Sequence, residues 1–266
     1  MGEEPPSERE RQLAVAYGAL HTARASTTLV AELYAEAMGD TYPHELKASS
    51  SCDWPLLGTI ISRLRLQPGQ QLIDLGCGTG GAGLWLARAC AAQLVGIDIS
   101  PQAIHLATQR APEFLPPDRA AFHVGTLEAT GLPDTHAHGA VCIDALGFAP
   151  KRLAALREIR RVLRPGGRMV LTSGGRRINP VSPPWPEQAA AAGMELESEE
   201  ERPHEPAMWH RLYQLWVKRE ADLRQHLGDQ QADSMLMEAR TRSRSLENRR
   251  SVTVTLRRPG GHVPSP

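Results

Sequence analysis

The amino-acid sequence predicts a doubly wound α/β fold with a mostly parallel, seven-stranded sheet. Short apolar runs typical of buried strands alternate with longer segments typical of helices. The first run ends in a glycine-rich loop, and an aspartate ends the second, as in nucleotide-binding strand–helix–strand units. Because crossovers between parallel strands are right-handed, this alternation places helices on both faces of the sheet.

Composition and charge exclude several classes of protein. With 266 residues and 41% hydrophobic content, the chain can bury a sizeable core and is not disordered throughout. Lys+Arg and Asp+Glu are both 30, which disfavours bulk attraction to nucleic acid or to an anionic membrane. We expect no transmembrane segment and no secretory signal, because no apolar run is long enough. The four cysteines form no CxxC pair, which favours reduced thiols and a cytoplasmic location.

The pattern divides the chain into predicted regions. Residues 1–8 form a disordered N-terminus and residues 259–266 a disordered tail. Residues 9–66 form a helical cap or lid over the main domain, 67–258. This domain has a helical insertion at about 204–247, before its last strand.

The cap is predicted from its composition. Residues 8–38 are rich in Ala, Leu and Glu, which favours helix, with breaks at Gly18 and at 26–28. The irregular stretch 39–55 is typical of either a lid or a packed connector. A further helix is predicted over 56–66.

Apolar and β-branched runs predict the strands of the main domain. The first begins at Gln71, and the later ones cover 94–100, 120–126, 139–146, 168–173, 194–201 and 251–258. Ser100 and Pro101 mark the start of the helix after the second strand, since Ser is favoured as N-cap and Pro at the first helical position.

The glycine-rich loop after the first strand carries the functional signal. Glycines there permit a tight turn and leave main-chain N–H groups open to a ligand, toward which the next helix points its N-terminus. Asp98 stands 20 residues after Gly78, at the end of the second strand, where a carboxylate accepts both hydroxyls of a ribose. Together these residues predict a nucleoside site.

The identity of the nucleoside depends on Asp74. Gly78, Gly80 and Gly83 also fit the GxGxxG fingerprint of dinucleotide sites, a weak signal by itself. An acid two residues before the first glycine opposes a pyrophosphate, whereas it suits the ammonium group of S-adenosylmethionine.

Five segments together resemble one enzyme family. LIDLGCGTG resembles motif I of the class I S-adenosylmethionine-dependent methyltransferases, and VGIDIS resembles motif II. AFHVGTLEATGLPD, GAVCIDAL and LREIRRVLRPGGRMVLTS resemble the later motifs, in the family's order. These matches cover about residues 70–175, and the whole chain resembles small-molecule methyltransferases of bacterial natural-product pathways. The resemblance implies a Rossmann-like class I methyltransferase fold, S-adenosylmethionine as cofactor and S-adenosylhomocysteine as product.

The resemblance also implies cofactor-binding residues. Asp74 and the following glycine loop hold the methionine part, Asp98 holds the ribose, and Ile99 packs on the adenine. Thr126 and Leu127 flank the adenine edge; the family pattern has Asp where Thr126 stands, so this contact is weaker. The implied set is Asp74, Gly76, Cys77, Gly78, Gly80, Asp98, Ile99, Thr126 and Leu127.

Catalysis needs little from the protein, because the sulfonium already activates the methyl group. Transfer is an in-line displacement by an O, N or C nucleophile, and a hydroxyl or acidic carbon benefits from a base. His210, beside Trp209 in the insertion, and Asp144, at the end of the fourth strand, are the candidate catalytic residues. The alternatives are a surface histidine for His210 and a helix cap for Asp144.

Other clusters have simpler interpretations. His136 and His138 are predicted in a solvated loop, and no spacing predicts a metal site. Aromatic residues in and before the insertion either line a pocket or belong to the core: Trp185, Trp209, Tyr213 and Trp216. Arginines near the last strand are predicted to form a solvated face: Arg240, Arg242, Arg244, Arg249 and Arg250.

The leading hypothesis is a cytoplasmic methyltransferase that acts on a small molecule, such as a natural product. One alternative binds the same cofactor but catalyses a reaction without methyl transfer, such as cyclisation. Another methylates a macromolecule; the neutral charge and the lack of an NPPY-type motif after the fourth strand disfavour it. The apolar helical segment 208–227 covers the site or pairs with a second subunit, as a homo-oligomer would require.

Overall fold

The computed structural model of the chain describes residues 8–47 and 49–260. The two segments predicted to be disordered, 1–8 and 259–266, lie almost wholly outside these residues. No helix in the described part combines the length and apolarity needed to cross a bilayer.

The described residues form one seven-stranded sheet with the order β3-β2-β1-β4-β5-β7-β6. The strands are β1 Gln71–Leu75, β2 Gln93–Asp98, β3 Ala120–Val124, β4 Ala137–Cys142, β5 Leu163–Arg176, β6 Glu195–Glu201 and β7 Arg249–Arg257. The first five strands pair in parallel, and β7 runs antiparallel between β5 and β6. The predicted doubly wound, mostly parallel seven-stranded fold is therefore confirmed.

Ten α-helices surround the sheet within the described residues. They are α1 Glu8–Ala25, α2 Leu29–Met38, α3 Trp54–Leu64, α4 Gly81–Ala89, α5 Pro101–Arg110, α6 Arg152–Val162, α7 Trp185–Ala191, α8 Glu205–Lys218, α9 Glu220–Leu227 and α10 Asp229–Arg242. The predicted break at 26–28 is present, but Gly18 lies inside α1. A single glycine costs a helix only about 1 kcal/mol relative to alanine, so it does not end one.

Local capping sets where two of these helices start. The Asp53 carboxylate accepts from the Leu56 N–H at 2.8 Å, so α3 starts earlier than the predicted residue 56. The Ser100 hydroxyl accepts from the Ala103 N–H at 3.1 Å, which confirms the predicted start of α5.

Three buried clusters stabilise the fold. One lies between the sheet and α6 and α7, and includes Leu156 and Trp185. A second packs α3 and α4 on the sheet, and includes Ile60 and Leu84. The third joins α2 to α8, α9 and α10, forming a helical layer that closes over the polar site. This third cluster fixes the N-terminal helices to the late insertion.

The core of α3 provides a stability test. Ile60 is 0% exposed, so Ile60→Ala removes buried methyl groups and leaves a cavity. We expect the free energy of unfolding to fall by about 2–5 kcal/mol, measured by urea denaturation. Ser62→Ala on the exposed face of α3 is the control and should change it by less than about 0.5 kcal/mol. Equal effects of the two substitutions would contradict this packing.

Candidate active site

A large cavity lies at the carboxyl ends of the central strands. Its volume is about 1440 Å³. Residues from β1, β2, β5 and the segment that follows β4 form its floor, and α1, α2, α8 and α10 supply its walls. This position is where ligands bind in open α/β sheets.

The glycine loop between β1 and α4 is fixed to the neighbouring strand. The N–H groups of Gly76 and Cys77 both donate to the Ile97 carbonyl, at 2.8 and 3.0 Å. Gly76 has φ +70°, and a Cβ there would lie 2.3 Å from the Ala145 Cβ. Only glycine therefore allows the loop to pass this closely over the end of β4.

Asp98, the last residue of β2, is held with its carboxylate facing the cavity. One oxygen accepts from the Gly78 N–H at 2.8 Å, and the other accepts from the Ser100 N–H at 2.9 Å. Each carboxylate oxygen has further acceptor capacity. The side chain can therefore accept two hydroxyl donors from a ligand.

Asp74 lies beneath the loop at the end of β1 and is 3% exposed. The Gly83 N–H donates to its carboxylate, and a Cβ on Gly83 would lie 2.5 Å from Oδ2, so glycine is required there as well. Burial, reinforced by the nearby Asp98 charge, raises the pKa of Asp74 to about 7. A cation bound here would relieve this cost by favouring the ionised form.

Most of the remaining predicted cofactor residues also line the cavity. Cys77, Gly78, Ile99, Thr126 and Leu127 are all on its surface. The Thr126 hydroxyl already accepts from the Ala129 N–H at 3.1 Å. Its capacity to accept a further donor is therefore reduced.

Gly80 is placed differently from the prediction. It is buried, and a Cβ there would lie 3.1–3.3 Å from Ala107, Leu84 and Phe122 side-chain atoms. Gly80 does not line the cavity, whereas its neighbour Thr79 does. The role of Gly80 is to let α4 pack against α5 and β3.

Three polar cavity residues on α1 were missed by the sequence analysis: Tyr17, His21 and Arg24. The Tyr17 ring lies 6.3 Å from the His21 ring, centre to centre, and burial lowers the pKa of His21. Their spacing of four and then three residues puts them on one helix face, a signal available in the sequence. Only the fold shows that this face meets the glycine loop.

Asp144 neither caps a helix nor has an unpartnered carboxylate. Its oxygens accept from the Ser51 N–H at 2.6 Å, from the Ser51 hydroxyl at 2.9 Å and from the Thr172 hydroxyl at 2.9 Å. Arg202 also donates to the Ser51 hydroxyl, at 2.7 Å. Asp144 lines the cavity, but its hydrogen bonds link the connector 39–55 to the sheet.

His210 is not brought to the cavity. It lies on the exposed face of α8, where its Nε2 is 3.0 Å from the Gln214 side-chain nitrogen. Trp209 takes the inward position and donates to Glu205 at 2.7 Å. Successive helical residues point about 100° apart, so only one of the two reaches the cavity.

The aromatic residues are both core and cavity wall. Trp209, Tyr213 and Trp216 line the cavity, with Tyr213 and Trp216 ring centres 5.3 Å apart. Tyr34 of α2 completes this wall, with its ring 6.1 Å from that of Trp209. Trp185 does not line the cavity and lies under the Arg152 guanidinium, at 4.8 Å. Trp209, Tyr213 and Trp216 therefore both line the pocket and belong to the core, the two alternatives that the sequence left open.

The predicted arginine face is divided between separate ion pairs. Arg249 pairs with the buried Glu205 at 2.7 Å, and Arg250 pairs with Glu201 at 2.8 Å. Arg249 and Arg242 line the cavity rather than a solvated face. Carboxylates thus neutralise much of the charge that would attract an acidic partner.

The two histidines of the HxH pattern differ from the predicted loop. His138 lies in β4, and its Nδ1 accepts from the Gln71 N–H at 3.1 Å. His136 comes just before the strand, with a buried Nε2 that has no partner. Across residues 8–47 and 49–260 no three metal-ligating side chains cluster, and the four cysteines are unpaired.

Comparison with known proteins agrees with this geometry. A methyltransferase domain family matches residues 73–171, from β1 to β5. The 27-O-demethylrifamycin SV methyltransferase of Amycolatopsis mediterranei is 32% identical over 116 residues, 44% of this chain and 43% of that protein. The 2-methyl-6-phytyl-1,4-hydroquinone methyltransferase of Synechocystis is 34% identical over 113 residues, 42% and 34% of the two chains. The match thus spans less than half of either relative.

Solved structures share the fold over a larger part of the chain. The [4+2]-cyclase SpnF has a TM-score of 0.69 at 24% identity, covering 78% of this chain and 81% of that one. A putative sarcosine dimethylglycine methyltransferase from Galdieria sulphuraria has a TM-score of 0.69 at 16% identity, covering 77% and 84%. The similarity therefore extends beyond the matched domain into the flanking helices.

The link that Asp144 makes between the connector and the sheet can be tested through Ser51. Ser51→Ala removes the hydroxyl that bonds both Asp144 and Arg202 but keeps the backbone N–H contact. We expect a loss of about 1–3 kcal/mol in the free energy of unfolding, since the half-buried Asp144 carboxylate loses a hydrogen-bond donor. Amide exchange in residues 49–53 should also become faster. Ser49→Ala, in the same connector, is the control. Unchanged amide exchange in the Ser51 variant would contradict the role of Asp144 in holding the connector.

Proposed function

We propose that the chain is a class I S-adenosylmethionine-dependent methyltransferase that methylates a small molecule, which the match of residues 73–171 to a methyltransferase domain family supports. The acceptor is an O, N or C nucleophile, and S-adenosylhomocysteine is the product. One observation carries the proposal: two buried aspartates flank the glycine loop at the floor of the large cavity. One carboxylate suits the ammonium group of the cofactor and the other suits its ribose.

The site chemistry favours this cofactor over a dinucleotide. Asp74 is buried and lies close enough to Asp98 to raise the pKa of its own carboxyl. A pyrophosphate would add negative charge beside two acids, whereas an ammonium group stabilises the Asp74 carboxylate. In this proposal Asp98 accepts the ribose hydroxyls, and Ile99, Thr126 and Leu127 surround the adenine.

The carboxylate of the cofactor's methionine part needs a cation, and α1 supplies one. Arg24 lines the cavity on the same helix face as His21, and its buried Nε has no partner. A His21 carbon lies 3.3 Å from where a Gly78 Cβ would stand, so this face meets the glycine loop. We assign the methionine carboxylate to Arg24.

The mechanism derives from orientation and exclusion of water. S-adenosylmethionine supplies an activated methyl group when bound. The glycine loop and the two aspartates fix its position, while α1, α2 and α8 enclose the acceptor beside it. His210 is too exposed to act as a base, and the Asp144 carboxylate is already bonded to Ser51 and Thr172.

Size and similarity support a small-molecule acceptor. A cavity of about 1440 Å³ exceeds the roughly 300–1,000 Å³ of ordinary ligand pockets, which leaves room for cofactor and acceptor together. Relatives named as O-methyltransferases favour an oxygen nucleophile and a natural product as substrate. The paired arginines near β7 disfavour nucleic acid.

The organisation and location of the chain follow the same reasoning. We assign residues 9–66 as a cap and 67–258 as the methyltransferase domain, with the insertion 204–247 covering the acceptor. We also assign a cytoplasmic location, because the cysteines carry no disulfide and two of them are buried.

A second candidate is a cofactor-dependent reaction without methyl transfer, which the [4+2]-cyclase neighbour makes relevant. The two differ in one product. Stoichiometric S-adenosylhomocysteine released with an acceptor would support methyl transfer. Turnover of a substrate without it would support the second candidate.

The cofactor site is tested first by calorimetric titration with S-adenosylmethionine and S-adenosylhomocysteine. We expect micromolar binding of both to the unchanged protein. Asp98→Ala should weaken it at least about tenfold, because charge-assisted hydrogen bonds to the ribose are lost. Asp40→Ala, at an exposed position outside the main cavity, is the control. Binding of a nicotinamide dinucleotide but of neither sulfur compound would overturn the proposal.

The raised pKa of Asp74 predicts a pH dependence. Since the ammonium contact requires the ionised carboxylate, affinity should fall as pH drops through the pKa of about 7. The decrease should approach about tenfold per pH unit below that value and level off above about pH 8. Asp74→Asn should bind weakly and without this dependence. Equal slopes for the two proteins would assign the titration to another group.

A further inference from the structure

Arg152 is a cavity-lining cation that the cofactor chemistry does not use. It is the first residue of α6, close to the end of β5. Its guanidinium lies over the Trp185 ring at 4.8 Å from the ring centre and donates to the Ser173 hydroxyl at 3.2 Å. These contacts hold the group rigidly at the cavity wall.

Arg152 has no acidic partner among the residues that the structure describes. No carboxylate of the described residues lies within ion-pair distance of it, and its buried Nε has no hydrogen-bond partner. Two other cavity arginines differ from it, because Arg249 pairs with Glu205 and Arg242 pairs with Glu238. Glu128 lines the same cavity but accepts from the backbone N–H of Lys151.

Leaving such a cation unpaired is costly, and burial lowers the pKa of Arg152 accordingly. The positive end of the α6 dipole lies at the same place and adds to the local potential. An anion in the cavity would offset both the cost of the unpaired cation and this positive potential. The hydroxyl of Ser173, which also lines the cavity, can donate to the same anion.

We propose that Arg152 and Ser173 form an anchor for a carboxylate on the methyl acceptor. Resting on the proposed function, this names the acceptor class: an aromatic or otherwise apolar acid. The aromatic wall of Tyr34, Trp209 and Tyr213 is matched to the apolar part of such a molecule. The paired N–H donors of the planar arginine guanidinium fit the two oxygens of the carboxylate.

The test compares aromatic acids with their neutral primary amides. Benzoate, 4-hydroxybenzoate and 2-naphthoate, each with its amide, are titrated calorimetrically into the protein, with and without saturating S-adenosylhomocysteine. We expect at least one acid to bind about tenfold or more tightly than its amide. Arg152→Gln should abolish that preference, and Arg152→Lys, which keeps the charge but not the fork, should retain part of it.

A matched control lies on the same helix. Arg157 is exposed, outside the cavity, and donates to the Ala191 carbonyl, so Arg157→Gln removes the same charge without touching the anchor. It should leave the preference for the acid unchanged. Arg152→Gln should leave the affinity for S-adenosylhomocysteine unchanged, so failure of the anchor and failure of the cofactor site are distinguishable.

Three outcomes would overturn the anchor. Acids and amides of every pair could bind alike or not at all. Arg152→Gln could keep the full preference for the acid. Arg152→Gln could instead weaken S-adenosylhomocysteine, which would assign Arg152 to the cofactor's own carboxylate.

Discussion

The architecture of the site depends on holding two carboxylates at the ends of adjacent buried strands. Burial of Asp74 and Asp98 is unfavourable unless each is hydrogen-bonded. Backbone N–H groups of Gly83, Gly78 and Ser100 meet this need. Gly83, in the first turn of α4, lies so close to Asp74 that a Cβ there would stand 2.5 Å from Oδ2. Glycine at position 83 is thus a consequence of satisfying a buried charge.

The walls of the cavity come from distant parts of the chain. The third buried cluster joins α2 to α8, α9 and α10, so the N-terminal cap and the late insertion form one layer. The contact from Asp144 to Ser51 fastens the intervening connector to the sheet. A catalytic side chain was predicted at Asp144, yet its carboxylate serves to fix that wall. Enclosure of the cavity therefore depends on the same packing that stabilises the fold.

Charge is distributed unevenly around the cavity. Two acids lie beneath the glycine loop, and five arginines line the cavity, of which Arg242 and Arg249 pair with carboxylates. Arg24 and Arg152 each have a buried Nε with no hydrogen-bond partner in the described part of the chain. A zwitterionic, sulfonium-bearing cofactor and an anionic acceptor would together complement this distribution. Neutral overall composition conceals the pattern, because it arises from which charges remain unpaired after folding.

The sequence by itself determined the sheet, the glycine loop and the two aspartates, because strand periodicity and a local strand–loop–helix motif are written in consecutive residues. Tertiary structure alone decided which face of each surrounding helix meets the cavity. It turned His210 outward and Trp209 inward, brought His21 to the glycine loop, and paired Arg249 while leaving Arg152 without a counter-charge. These outcomes depend on contacts between residues far apart in the chain, and helical periodicity does not specify them.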